Sequence, residues 1–263
     1  MSSAFLKGGI GNTTGNLCYV SSIVQCIRHV LKRYLDDGAK SDIALAILNG
    51  DAMRLMRVVK VLDPNEQCDA HEFLCLLLNE CSDLRRALSG IEKRLTLCRS
   101  CYSKSEPSVV PTNVICLQLC GGGNAVSIQR MLNAHFSAHI VSSYACEACD
   151  VTSEAMRTGH LTECPDILGI CIVRYTMGRS GPEKNNQPID FPLIGLVMPH
   201  TTTLYNLASV CNHGGSVRGG HYTCDALVND QWLRFDDSVV TAHPGAIPTS
   251  SSEAYLLFFT RQE

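Results

Sequence analysis

Apolar residues recur with a helical period up to about residue 81 and with a strand period from about residue 91, and no other feature constrains the fold as much. After Cys18, Val20, Ile23, Val24, Ile27, Val30, Leu31 and Tyr34 follow at the spacing of an amphipathic helix. Asp42–Leu48 and Ala52–Leu62 read as two more helices, split by Asn49-Gly50 and closed by Asp63-Pro64. Asp69–Cys81 sets Ala70, Phe73, Leu74, Leu77 and Leu78 on one side, with Asp69 as its cap and Glu72 at the capping-box position. Then the period drops to two, in Ile91, Lys93, Leu95 and Leu97. Val114–Leu119, Ile167–Val173, Leu204–Cys211, His221–Val228, Gln231–Phe235 and Tyr255–Thr260 also read as strands. Gly121–Gly123 reads as a turn, Val126–Phe136 as a short helix and 178–188 as a loop. Helices first and strands afterwards predict an α+β architecture in a single domain, 1–263, with 98–149 as a candidate excursion.

Charge and cysteine content narrow the function classes. With 22 Lys+Arg against 25 Asp+Glu, the chain offers no electrostatic reason to expect nucleic acid. The densest basic stretches, Arg28–Arg33 and Lys93–Lys104, read as solvated faces. There is no run of 18 apolar residues, so no membrane span is expected, and the opening residues do not suggest a signal peptide. The 15 cysteines are an odd number, which argues against a secreted disulfide framework and for the cytosol or nucleus.

Among those thiols, Cys18 stands where Gly15-Asn16-Leu17 gives way to the first helix. Unpaired amides and the helix dipole stabilise a thiolate there. On these grounds alone it is one candidate among many. A base is available in His221, which closes the run His213-Gly-Gly-Ser-Val-Arg-Gly-Gly-His221-Tyr222. Its four glycines suggest a loop able to move and to lie close to a backbone substrate. A hairpin turning at Val228–Asp230 would set Asp236 beside His221, where a carboxylate fixes the imidazole tautomer. Cys98-Arg-Ser-Cys101 and Cys146-Glu-Ala-Cys149 form two CxxC pairs able to hold zinc tetrahedrally. Chance at this cysteine density supplies roughly one such pair, so the spacing alone is modest support.

Six blocks in order resemble the ubiquitin-specific protease family of papain-like deubiquitinating enzymes. They are Gly15–Gln25, Gln67–Leu78, Pro165–Tyr175, Tyr205–Leu207 with His213–Tyr222, Trp232–Val240 and Ala254–Phe259. The resemblance implies a papain-like fold with a helical thumb over 1–90. A β-sheet palm would occupy 91–263, with a zinc-ribbon fingers insertion around 98–160. It implies Cys18 as nucleophile, His221 as base, Asp236 as orienting acid and Asp237 as a supporting neighbour. Asp69, Glu72, Gly219, Gly220 and Tyr222 would meet the ubiquitin tail. Cys98, Cys101, Cys146 and Cys149 would hold one structural zinc. The activity implied is thiol-dependent cleavage after the C-terminal glycine of ubiquitin, with ubiquitin or ubiquitin-like conjugates as partners.

The sequence departs from the family pattern before the nucleophile. The usual asparagine five residues upstream is Thr13 here, with Asn12 one residue earlier. Thr13, Asn12 and Asn16 all stay open as oxyanion donors beside the backbone amides. One donor is worth on the order of 3 kcal/mol in the transition state. Two alternatives therefore stand beside the leading reading: a protease for another ubiquitin-like modifier, and a weakly active or inactive ubiquitin-binding scaffold.

Overall fold

The computed structural model describes residues 8–12, 15–34, 41–60, 63, 65–119, 123–178, 181–217 and 219–262. Helices fill the first third: α1 (Cys18–Tyr34), α2 (Asp42–Asn49), α3 (Ala52–Val59), α4 (Ala70–Glu80) and α5 (Ser82–Leu88). The Ser41 hydroxyl caps α2 by accepting from the Ala44 N–H, and Gly50 ends it at φ 69°. Helix α3 stops at Val59, short of the expected Leu62, because Lys60 turns left-handed and returns its N–H to Met56. Residues 61, 62, 64, 121 and 122 lie outside the described residues, and so do the ends of the turns expected there. Helix α5, two turns held by buried Leu84, Ala87 and Leu88, stands outside the helices expected from the periodicity.

Helix α1 differs most from its expected amphipathic form, because it is buried on every side from Cys18 to Leu31. The large sheet covers one flank and α2 to α5 the other, so Ser21, Ser22, Gln25, Arg28 and His29 are all under 9 % exposed. Burial of polar groups demands partners. The Gln25 amide and the Arg28 guanidinium both donate to the Gly8 carbonyl, and Ser22 donates to the Tyr19 carbonyl. Arg28 is thus no solvated residue. It packs over the Phe235 ring, 5.8 Å from guanidinium carbon to centroid, and burial pushes its pKa down to about 10.

The remainder is built from β1 (Gly90–Cys98), β2 (Ser108–Thr112), β3 (Val114–Gln118), β4 (Val126–Ser127), α6 (Ile128–Phe136), β5 (His139–Ala145), β6 (Thr152–Glu163), β7 (Ile167–Val173), β8 (Tyr175–Gly178), β9 (Gly181–Lys184), β10 (Ile189–Asp190), β11 (Leu196–Val197), β12 (Leu204–Ser216), β13 (Gly219–Val228), β14 (Gln231–Asp236), β15 (Val239–Ala242), β16 (Ser250–Ser251) and β17 (Ala254–Arg261). An eight-stranded sheet runs β15-β14-β13-β12-β17-β7-β3, with β11 on β12. Central β17 is buried on both faces. Leu256 and Phe258 pack toward α1, and Leu257 and Phe259 pack toward α6. A separate four-stranded sheet, β2-β1-β6-β5, carries the cysteine pairs at one end. The chain leaves it after β2 to lay β3 parallel to β7 in the large sheet.

The glycine-rich run before His221 is not a free loop. Strands β12 and β13 pair through it, His213 opposite Tyr222 and Gly214 opposite His221, up to a turn near residue 217. Glycine is needed there for closeness rather than mobility. A side-chain carbon on Gly220 would collide with the Gly214 carbonyl and the His213 ring, and Gly215 sits at φ 106°. The loop expected over 178–188 likewise contains strand β9, paired with β8. Arg174, fully buried, ties this region down by donating to the carbonyls of Ala254, Asn185, Gln187 and Ser251.

Candidate active site

Gly15, at φ 81°, turns the chain into α1 and places Cys18 in its first turn. There the residue is 2 % exposed. Burial pushes the thiol pKa up, while a hydrogen bond from the Tyr222 N–H pulls it down. The Asp237 charge raises it, and the Tyr19 N–H lowers it again. Burial wins, so the group is a thiol at neutral pH and needs a base to react.

His221 is the residue before Tyr222 in the chain. His221 Nε2 and Asp236 Oδ1 are 2.6 Å apart, on the same face of neighbouring strands. The β13–β14 hairpin makes the meeting unavoidable. Val228 pairs with Gln231 across Asn229-Asp230, both at positive φ, and the register runs on to Cys224 opposite Phe235. With Nε2 on the carboxylate, Nδ1 is the ring nitrogen left over. Asp237 bonds differently. Its carboxylate accepts from Asn12 Nδ2 at 3.0 Å, and Asn12 Oδ1 accepts from the Leu17 N–H at 2.8 Å. Asn12 therefore straps the start of α1 to the turn that follows the acid. Asn16 Nδ2 donates to the Asn65 carbonyl, and Thr13 lies outside the described residues.

A cleft of about 260 Å3 runs from Cys18 between the helical layer and the β12–β13 hairpin. Asp69, Gly219, Gly220 and Tyr222 line it, and so do Gln67, Cys68, Tyr175, His213, Ser216 and Val217. Glu72 is not in its lining and sits exposed on α4. The Asp69 carboxylate caps α4, accepting from the His71 and Glu72 N–H groups, and also accepts from the Tyr255 hydroxyl at 2.8 Å. Tyr255 reaches it because the β12–β17 register shifts between Cys211 and Asn212, a bulge that re-aims the side chain. No sequence signal marks that bulge.

His213 was quoted in the sequence only as the start of a glycine run, yet it stacks 4.6 Å from the Tyr222 ring and bonds the Tyr175 hydroxyl at 3.0 Å. Burial and then Lys184 push its pKa down to about 4. Burial, with Arg28 and Lys32 adding to it, pushes His29 down to about 3. The unfolded chain binds both protons below about pH 6.5, and the native fold refuses them until far lower. Stability is thus present above pH 6.5 and lost as the pH falls. Between pH 7 and pH 5 the two sites should cost about 2 kcal/mol each. Urea unfolding at the two pH values should show the drop, and His29→Gln should remove about half of it. Equal unfolding free energies would refute the linkage.

At the end of the four-stranded sheet, the sulfurs of Cys98, Cys101, Cys146 and Cys149 lie within 4.8 Å of one another, a set that could hold a metal ion. The two CxxC turns are alike. Tyr102 and Asp150 follow them at φ 60° and 55°, returning their N–H groups to the carbonyls of Cys98 and Cys146. Cys101 and Cys146 sulfurs are 3.7 Å apart. A tetrahedron with zinc–sulfur bonds of about 2.3 Å has edges of about 3.8 Å, so the donors fit. Cysteine-rich turns of this kind resemble a zinc ribbon. Among the described residues, no helix is long and apolar enough to cross a membrane.

Comparison with known proteins gives this geometry a family. The yeast SAGA DUB module of Ubp8, Sgf11, Sus1 and Sgf73 bound to monoubiquitin superimposes at TM-score 0.80 and 20 % identity, over 100 % of this chain and 71 % of that one. The same module bound to ubiquitin aldehyde gives 0.78 at 19 %. The fold is thus the α+β, papain-like deubiquitinase fold. A probable ubiquitin carboxyl-terminal hydrolase 16 of Schizosaccharomyces pombe is 26 % identical over 93 % of this chain, which spans 59 % of that protein's length. Ubiquitin carboxyl-terminal hydrolase 12 of Saccharomyces cerevisiae is 32 % identical over 47 % of this chain and 10 % of its own length. Residues 51–259 match the family profile described as ubiquitin carboxyl-terminal hydrolase, and the chain belongs to that family.

Proposed function

We propose that this chain is a cysteine-type deubiquitinase that cleaves the isopeptide bond after the C-terminal glycine of ubiquitin. The observation that carries the reading is a buried Cys18 hydrogen-bonded by the N–H of Tyr222, the residue that follows His221, whose imidazole meets Asp236 at 2.6 Å, with Cys18 lining a glycine-walled cleft. Cys18 Sγ attacks the glycine carbonyl carbon while His221 takes the thiol proton. His221 then protonates the departing lysine amine, leaving a thioester. A water, deprotonated by His221, attacks that thioester and releases a carboxylate and the thiol. The oxyanion is held by N–H groups at the start of α1, with Asn12 fixing their position through Leu17. Gly219 and Gly220 leave room for a Gly-Gly tail, and Asp69 and Glu72 supply negative charge for its basic residues.

In this reading the helices of 1–90 act as thumb. The rest is palm, with the four-stranded sheet as fingers holding one zinc at Cys98, Cys101, Cys146 and Cys149. A reducing compartment, cytosol or nucleus, suits a thiol nucleophile.

Ubiquitin carrying a C-terminal electrophile is expected to form one covalent adduct, lost in Cys18→Ala. No adduct, or one that persists in Cys18→Ala, refutes the assignment. Probes built on other ubiquitin-like modifiers, run in parallel, separate a deubiquitinase from a protease for another modifier.

A further inference from the structure

Behind the cleft lies a second donor cluster that the proposed reaction does not use. Helix α4 presents His71 and Cys75 one turn apart, the spacing that puts two side chains on one helix face. Below it, β3 and β7 run parallel with Cys116 opposite Cys171, so both thiols leave the sheet on the same side. Cys171 packs in the core that includes α4. His71 Nε2 is 3.6 Å from Cys75 Sγ and 3.8 Å from Cys116 Sγ. The ligating atoms of His71, Cys116 and Cys171 all lie within 4.8 Å of one another.

We propose that His71, Cys116 and Cys171, joined by Cys75, form a second metal site that takes a zinc-class cation and pins α4 to the edge of the large sheet. His71, Cys116 and Cys171 suit three corners of a tetrahedron, and Cys75, in contact with His71 from the exposed side, needs a side-chain rotation to take the fourth. Bonds of about 2.0 Å to nitrogen and 2.3 Å to sulfur give a nitrogen–sulfur edge of about 3.6 Å. The donor set is thiolate and imidazole with no carboxylate, which selects zinc over magnesium or calcium. Cys171 is buried while Cys116 and Cys75 are exposed, so an ion can enter from solvent.

The site also has a structural purpose. Asp69, two residues before His71, caps α4 and accepts from Tyr255 at the cleft. Fixing α4 to β3 and β7 fixes that carboxylate.

The test is zinc content per full-length, zinc-replete chain by mass spectrometry, in wild type, Cys98→Ser/Cys101→Ser and Cys116→Ser/Cys171→Ser. Two ions are expected in wild type and one in each double variant. Equal zinc in wild type and Cys116→Ser/Cys171→Ser overturns the proposal. Loss confined to Cys98→Ser/Cys101→Ser speaks for the ribbon site alone. Should the Cys116→Ser/Cys171→Ser chain fail to fold, zinc X-ray absorption on wild type decides. A mixed nitrogen–sulfur shell with two ions per chain supports the second site, and a sulfur-only shell refutes it. Neither readout depends on deubiquitinase activity.

Discussion

His221→Ala is expected to lower kcat/KM for a ubiquitin-derived substrate about 10,000-fold, the scale of losing a general base together with the matching acid. The reason lies in Cys18. Burial holds its thiol protonated, so attack requires a partner to take the proton during the step. Without the imidazole, only solvent can do so. Residual activity of the variant should therefore climb with pH as the thiolate fraction grows toward the raised pKa, whereas the parent protein should depend on pH less steeply. Asp236→Asn should cost less, because His221 and Asp236 side chains are 45 % and 51 % exposed and water can take over part of the carboxylate's role. Release of a fluorogenic group from the ubiquitin C-terminus measures all three. A His221→Ala rate within tenfold of the parent would falsify the assignment of the base.

Cys98→Ser/Cys146→Ser is expected to unfold the far end of the four-stranded sheet while leaving the large sheet intact. Each cysteine pair sits on a turn, at the end of β1 or between β5 and β6, and little apolar surface is buried beside it. Ile140, Val151 and Met156 there are all more than a third exposed. A structural zinc contributes about 10 kcal/mol or more in small domains that depend on it. The sheet end has nothing of that size to replace it. Hydrogen exchange should accelerate in β5 and β6 and stay slow in β12, β13 and β17. Unchanged exchange in β5 and β6 would show that the turns hold without metal.

The elements whose neighbours are close in sequence were legible. Helix α4 is marked by its own cap and apolar stripe, and the β13–β14 hairpin by its turn, which is why His221 and Asp236 could be paired from sequence. What depended on layers meeting was not. Arg28 looks solvated until a sheet closes over α1, and His213 looks like a turn residue until β12 is seen to run on through it. Tyr255 reaches Asp69 only through a register shift against β12, set by packing rather than by spacing. Cys116 and Cys171 stand 55 positions apart, and only the parallel pairing of β3 with β7 makes them neighbours.

The tight glycine pairing at the top of β12 and β13 also governs how this protein can change length over time. Side chains on β13 alternate, His221 to the Asp236 side and Tyr222 to the α1 side. Deleting or adding one residue between Gly220 and Cys224 would exchange those sides and carry the imidazole away from its carboxylate. Insertions at the turn near residue 217 leave that alternation untouched. Variation in length is therefore open at the hairpin tip and closed a few residues further along, where even a two-residue step, about 7 Å along the strand, would carry the imidazole past its carboxylate.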